Sequence, residues 1–319
     1  MTHDGLILPV RVAASARLCS VTTITLALGL AFGQAAPAAE APDPYRLKIG
    51  RSGEIAIRAG DMVDTATGRV VTPDDIAKAA SGHRWVYLGE SHDNALHHQM
   101  QAAIIEALAK TGRPTVVGFE MFTRPVQDRL NAWTLGWQSE AEFIESSEWK
   151  TQWGFDFALY RPIFEATKKH RLPMVALNVP RDWVRQVGRE GLGALTPEQR
   201  ASLPEQFDLT NQAHRAVFGA LMGGHPPTGT RGESIYSAQV LWDVGMADSA
   251  IKYMEALPRY NGVMAIVAGS GHVMYGQGIN WRIAQRTGER GITVTMVAAT
   301  DSITVSRGLG DYVYVAPGK

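Results

Sequence analysis

Two apolar runs, Trp85–Leu88 and Val263–Ala268, lie about 180 residues apart and stop at the same pattern. Gly89-Glu90-Ser91-His92 follows the first, and Gly269-Ser270-Gly271-His272 follows the second. A short apolar run bounded by a glycine turn reads as a buried strand. Glycine lets the chain break sharply as it leaves a sheet. A histidine three residues on can point back over the strand end. Ligands of open α/β sheets bind in the crevice at the carboxyl ends of the strands. Two such turns can therefore bring two imidazoles into one cleft. Another run, Thr115–Phe119, ends in Glu120 and would add a carboxylate beside them.

Helical patterns separate these runs. Ala95–Thr111 carries Met100, Ile104, Ile105 and Leu108 at helical spacing, and Leu159–His170 is a second helix. Pro173–Asn178 is the third core strand and Val263–Ala268 the fourth. Between them helical signals run with interruptions from Arg181 to Pro258. Helix Ile279–Thr287 and strand Thr293–Ala298 follow, with Val313–Val315 as an edge strand. Near the start, Ile55–Ile57 and Arg69–Val71 read as short edge strands around an Asp61–Gly68 turn. The expected fold is α/β: a largely parallel central sheet, helices on both faces, and an extended helical segment between the third and fourth core strands.

The first 38 residues read differently. Arg11 and Arg17 precede the uncharged run Leu18–Gly33, and small residues follow it. This is the order of a secretory signal peptide, too short to span a bilayer. Residues 39–319 then form one domain, beginning with a mobile lead-in up to Tyr45. The chain's single cysteine, Cys19, lies in the leader. The mature chain has neither a disulfide framework nor a thiolate ligand, which suits an exported, periplasmic location. The formal net charge is zero and no basic patch stands out, which argues against nucleic acid as a partner. Gly-x-Ser-x-Gly, Gly-x-Gly-x-x-Gly and His-Glu-x-x-His are all absent, so the common serine-hydrolase, dinucleotide and zinc-protease readings lack support.

The polar residues around the strand ends carry the chemistry. Glu90 and His92 lie just beyond the first strand, with His97 and His98 on the following helix. His97 and His98 sit about 100° apart on that helix, so they do not face one site equally. Glu120, at the end of an apolar strand, must be paired, hydrogen-bonded or metal-bound to stay charged. Its competing role is a structural ion pair. Asn178, Pro180 and Arg181 close the third strand at the same sheet edge. Gln239 and Asp243 share one helical stripe that can face the cleft. Tyr160 follows the aromatic Trp153–Phe157 stretch, which reads mainly as core. His214 and His225 read as ordinary flanks of a helix.

Several motifs, in order, resemble the ChaN-like haem-binding uptake family. They are Leu88-Gly89-Glu90-Ser91-His92-Asp93-Asn94 with His97-His98-Gln99, Gly118-Phe119-Glu120-Met121-Phe122, and Trp153-Gly154-Phe155-Asp156 through Tyr160. Ala176-Leu177-Asn178-Val179-Pro180-Arg181, Ala238-Gln239 with Trp242-Asp243, and Ala268-Gly269-Ser270-Gly271-His272-Val273 complete the set. The resemblance implies an exported protein that binds haem for iron uptake at the periphery of the outer membrane. It also implies a homodimer with stacked haems, serving outer-membrane haem uptake machinery. Haem requires an apolar slot, an axial tyrosine or histidine, and cations for its propionates. His97, His98, Tyr160 and Arg181 offer those parts. The family's haem ligand is described as a tyrosine, for which Tyr87 and Tyr160 qualify by location. The wider Tiki-type superfamily implies an alternative, a metal-dependent hydrolase. There His92, Glu120 and His272 would hold a divalent metal ion, with Glu90 as general base.

Overall fold

A computed structural model describes residues 41–205, 207–224, 226–257 and 261–318. The expected signal peptide, residues 1–38, lies outside these residues, as does His225. The first half contains β1 (Glu54–Arg58), β2 (Met62–Asp64), α1 (Pro73–Ala79), β3 (Trp85–Glu90), α2 (Ala95–Lys110) and β4 (Thr115–Thr123). Helices α3 (Gln127–Thr134), α4 (Glu140–Ser146), α5 (Trp149–Gln152) and α6 (Phe157–His170) lead to β5 (Met174–Asn178). Next come α7 (Arg181–Glu190), α8 (Pro197–Ala201), α9 (Gln212–Leu221) and the 27-residue α10 (Gly229–Glu255). The chain ends with β6 (Val263–Gly269), α11 (Ile279–Thr287), β7 (Ile292–Ala299), β8 (Ser302–Ser306) and β9 (Tyr312–Pro317).

Seven strands form one sheet in the order β2-β9-β7-β3-β6-β4-β5. All its pairings are parallel except β2 with β9. Every residue of β3, β4 and β6 is buried, as a parallel sheet covered on both faces requires. Alternation sorts β3 between two cores. Val86 and Leu88 pack with Ile104, Ile105, Phe119 and Phe164 on one face. Trp85 and Tyr87 pack with Met246, Ile251, Ile266 and Ile283 on the other. The decisive topological feature is β6, which inserts between β3 and β4. It sets Glu90 opposite Gly269 in register and brings three strand ends together.

The margins depart from the sequence reading. The expected strand Ile55–Ile57 lies in β1, but the next strand is Met62–Asp64, inside the expected turn, where Met62 and Val63 are buried. Arg69–Val71 contributes a single bridge, Val70 to Val63. Val313–Val315 lies in β9, an interior strand between β2 and β7. The polar strand β8, absent from the sequence reading, pairs with β1 in a separate two-stranded sheet. The lead-in near Tyr45 is fastened rather than mobile. The Tyr275 hydroxyl donates to the Pro44 carbonyl and accepts from the Leu47 N–H, both at 2.9 Å. The Ser306 N–H donates to the Tyr45 carbonyl at 2.8 Å. No helix among the described residues is long and apolar enough to cross a membrane.

Candidate functional site

The two Gly-x-x-His turns meet, for a reason different from the expected chain break. Neither Gly89 nor Gly269 has a positive φ. Both are needed for close approach. A Cβ on Gly89 would lie 2.5 Å from Val273 Cγ2 and 3.1 Å from Ser270 Cα. A Cβ on Gly269 would lie 2.8 Å from His92 Cε1. The missing side chains let the second turn pack onto β3 and let His92 lie across β6.

Two buried ionic chains cross this junction. In the first, His92 Nδ1 lies 2.6 Å from Glu90 Oε1. His98 Nε2 stands 3.4 Å from Glu90 Oε2, and its ring lies against Tyr160 at a 32° tilt with centroids 3.8 Å apart. The Tyr160 hydroxyl donates to the His92 carbonyl at 3.1 Å and reaches Glu90 Oε1 at 3.4 Å. Burial favours the neutral form of Glu90, but hydrogen bonds from His92 and His98 outweigh it and lower the pKa. Burial likewise works against charge on His92, but the Glu90 hydrogen bond and the nearby Glu120 carboxylate raise its pKa.

The second chain centres on His272. Its Nδ1 lies 2.6 Å from Asp243 Oδ1 and its Nε2 lies 3.3 Å from Glu120 Oε1. Gln239 Nε2 stands 3.1 Å from the same Nδ1. Burial alone would lower the His272 pKa; the Glu120 and Asp243 charges override it and push it up to about 10. Burial would raise the Glu120 pKa, but the His272 charge, its hydrogen bond, His92 and the Gly269 N–H hold it at about 2. That N–H donates to Glu120 Oε2 at 2.7 Å, so Glu120 already occupies an amide of the Gly-Ser-Gly turn. Asn178 Nδ2 donates to the Glu120 carbonyl at 3.0 Å. His214 extends the chain: its Nε2 lies 3.0 Å from Asp243 Oδ2, and its Nδ1 lies 2.8 Å from the Tyr236 hydroxyl. Arg282 Nη1 lies 3.5 Å from Asp243 Oδ2.

These distances separate the expected residues. Glu90, His92, Glu120, Gln239, Asp243 and His272 come together, with Asn178 supporting them. His97 does not join: its Nδ1 accepts from the Ser91 N–H and its Nε2 meets the Val297 carbonyl, each at 3.0 Å. Both ring nitrogens are thereby used inside the protein. His98 and Tyr160 are fully buried behind Glu90, so neither presents an atom to an entering molecule. Tyr87 is also buried, on the α10 and α11 face of the sheet. Arg181 is partly exposed, within electrostatic range of Glu120, with one N–H donated to the Thr151 carbonyl at 2.9 Å.

The expected trio of His92, Glu120 and His272 does not form a metal centre as folded. Each His272 ring nitrogen faces a carboxylate, Asp243 at Nδ1 and Glu120 at Nε2. Among the described residues no three His, Cys, Asp or Glu side chains are arranged to hold a metal ion.

Two residues of the site escaped the sequence reading. His214 carried only the signature of an ordinary helix. Tyr45 belongs to the lead-in, yet it lines the cleft over the strand ends together with Phe218, Leu221, Met222 and Met274. The cleft measures about 290 Å³. At its mouth the His92 side chain is 33% exposed, and no hydrogen bond to its Nε2 forms among the described residues. Trp153 and Phe155 pack against the His92 ring with centroids 4.6 and 5.3 Å away. Leu221 and Met222 are 45% and 43% exposed, giving the mouth an apolar rim.

The fold and the paired strand-end turns define a class of α/β protein with a polar cleft under an apolar mouth. The sequence model described as "Haem-binding uptake, Tiki superfamily, ChaN" matches residues 76–283, and the chain belongs to that family. A solved structure titled "Cofacial heme binding to ChaN of Campylobacter jejuni" is similar in fold, with a TM-score of 0.62 at 18% identity. That alignment covers 79% of this chain and 95% of the other. A mutant of the erythromycin esterase EreC, solved in its open conformation, aligns at 13% identity with a TM-score of 0.45, covering 76% of this chain and 77% of that one. A comparison with curated protein sequences gives no match.

Proposed function

We propose that this protein binds haem at the cleft mouth, with His92 Nε2 as the axial donor, and that it serves haem uptake. Membership of the haem-binding uptake family over residues 76–283 supports haem as the ligand. The observation that carries the site is His92 itself. One ring nitrogen is held by buried Glu90, while the other lies beside Gly269 with no hydrogen bond among the described residues, on a side chain that is 33% exposed. A carboxylate behind an imidazole fixes its orientation and raises its basicity as a ligand. Phe155, Leu221 and Met222 supply apolar surface for a porphyrin face, and Arg181 supplies a cation for a propionate.

A cleft of about 290 Å³ falls just below the ~300–1,000 Å³ of pockets that enclose a small ligand. Haem therefore lies across the mouth and leaves one face open. A second copy covers that face in a homodimer, in keeping with the cofacial arrangement named for the Campylobacter jejuni protein. Export, directed by residues 1–38, places the protein in the periplasm or at the outer-membrane periphery, beside the uptake machinery. Titration of the mature protein with haemin tests the reading. A saturable shift of the Soret band, with haem-dependent dimerisation in light scattering, is expected; an unshifted band refutes it.

A further inference from the structure

A second cavity, on the α11 side of the sheet, is distinct from the cleft. It measures about 440 Å³ and is lined by Arg51, Arg290, Arg307, Asp311, Tyr87 and Trp281, among others. None of its three arginines forms an ion pair with a carboxylate among the described residues. Arg51 Nη1 donates to the Thr65 hydroxyl at 2.8 Å, and Arg307 Nη1 donates to the Thr65 carbonyl. Neither bond neutralises its guanidinium group. The single carboxylate on the wall, Asp311, has Oδ2 engaged by the Thr293 N–H at 2.9 Å. The lining thus carries a surplus of two positive charges, three arginines against one aspartate.

The second, independent observation is Tyr87. Its side chain is 1% exposed, and its hydroxyl is buried with no hydrogen-bond partner. Buried polar groups are almost always satisfied, and an orphaned one is costly. Burial also raises the Tyr87 pKa well above its ordinary value, which keeps the phenol a donor. Tyr87 lines the cavity, and its neutral O–H, buried in the wall without an acceptor beside surplus positive charge, is complementary to an oxyanion.

We propose that this cavity is a binding site for a small multivalent oxyanion, a phosphate or polycarboxylate compound. The guanidinium groups bind its oxygens, and the Tyr87 hydroxyl donates to the innermost one. The proposal does not depend on the haem reading, because its residues take no part in the cleft.

Isothermal titration of the full-length mature protein with pyrophosphate and, separately, citrate in low-salt buffer tests it and distinguishes phosphate from carboxylate ligands. One saturable site for at least one anion is expected, unaffected by His92→Ala. Arg51→Gln and Arg290→Gln alter exposed side chains and should each weaken binding about tenfold. Tyr87→Phe keeps the ring in the core and should also weaken binding. Thermal melts confirm that each variant folds. No saturable binding of either anion overturns the proposal. So does binding that all three variants leave intact, and so does binding that responds to arginine removal but not to Tyr87→Phe, which marks general charge attraction.

Discussion

Replacing the glycine of each turn by alanine should produce two different defects, although the motifs read alike. In Gly89→Ala the new methyl meets Val273 Cγ2 at 2.5 Å and Ser270 Cα at 3.1 Å. Val273 is fully buried and β-branched, and Ser270 Cα is backbone, so neither yields easily. Overpacking of this kind costs about 1–3 kcal/mol, and the upper half of that range is expected here. In Gly269→Ala the methyl meets His92 Cε1 at 2.8 Å and Nε2 at 3.2 Å. His92 is one-third exposed and can swing outward, losing its 2.6 Å bond to Glu90. A hydrogen bond to a charged group contributes about 1.5–3 kcal/mol, reduced here because water can replace the exposed partner. Reduced freedom of the unfolded chain returns about 0.4–1 kcal/mol, leaving a net loss near 1 kcal/mol. Urea unfolding measures the stabilities and haemin titration measures the site. Gly89→Ala should lower the midpoint more, yet retain haem affinity within about threefold. Gly269→Ala should lose at least about tenfold in haem affinity at nearly normal stability. The opposite assignment of the two defects would refute this account of the turns.

Other expected outcomes follow from the ionic chains. Asp243→Asn leaves His272, His214 and Arg282 without their shared counter-charge and should cost about 3–5 kcal/mol in urea unfolding; a loss under about 1 kcal/mol contradicts that role. The His272 pKa rises from 6.5 to about 10, so its contribution to stability is complete below 6.5 and fades as pH climbs to about 10. Glu120 falls from 4.5 to about 2, so its contribution is complete above 4.5 and fades as pH drops to about 2. Urea midpoints should therefore show this network's full effect between pH 4.5 and 6.5, and His272→Gln should flatten the alkaline decline. Because Glu90 raises the pKa of His92, haem affinity should increase as pH rises through a value above 6.5; a pH-independent Kd speaks against imidazole ligation.

The sequence made the centre of the fold legible because its strands are apolar at every position, and such runs have few alternatives to a covered parallel sheet. It identified Glu90, His92, Glu120, Gln239, Asp243 and His272 as partners because strand ends and one helical stripe place them. It did not reveal the depth of each side chain. His97, His98 and Tyr160 lie within the same motifs, but α2 and α6 turn them beneath the cleft floor. His214 and Tyr45 reach the site from α9 and the lead-in, whose positions depend on long-range contacts such as Tyr275 with Pro44. Nor did spacing alone show that His272 would be shared between two carboxylates. That sharing engages both of its ring nitrogens within the protein.

The central claim is that His92 Nε2 holds haem iron. Electronic absorption and electron paramagnetic resonance spectra of the haem complex test it, recorded for wild type, His92→Ala and Tyr45→Phe. The account predicts an imidazole-ligated spectrum for wild type and Tyr45→Phe. It predicts at least about a tenfold loss of affinity and a changed iron signal for His92→Ala, with the fold intact. An unchanged spectrum and Kd in His92→Ala, or the loss appearing in Tyr45→Phe instead, would contradict it.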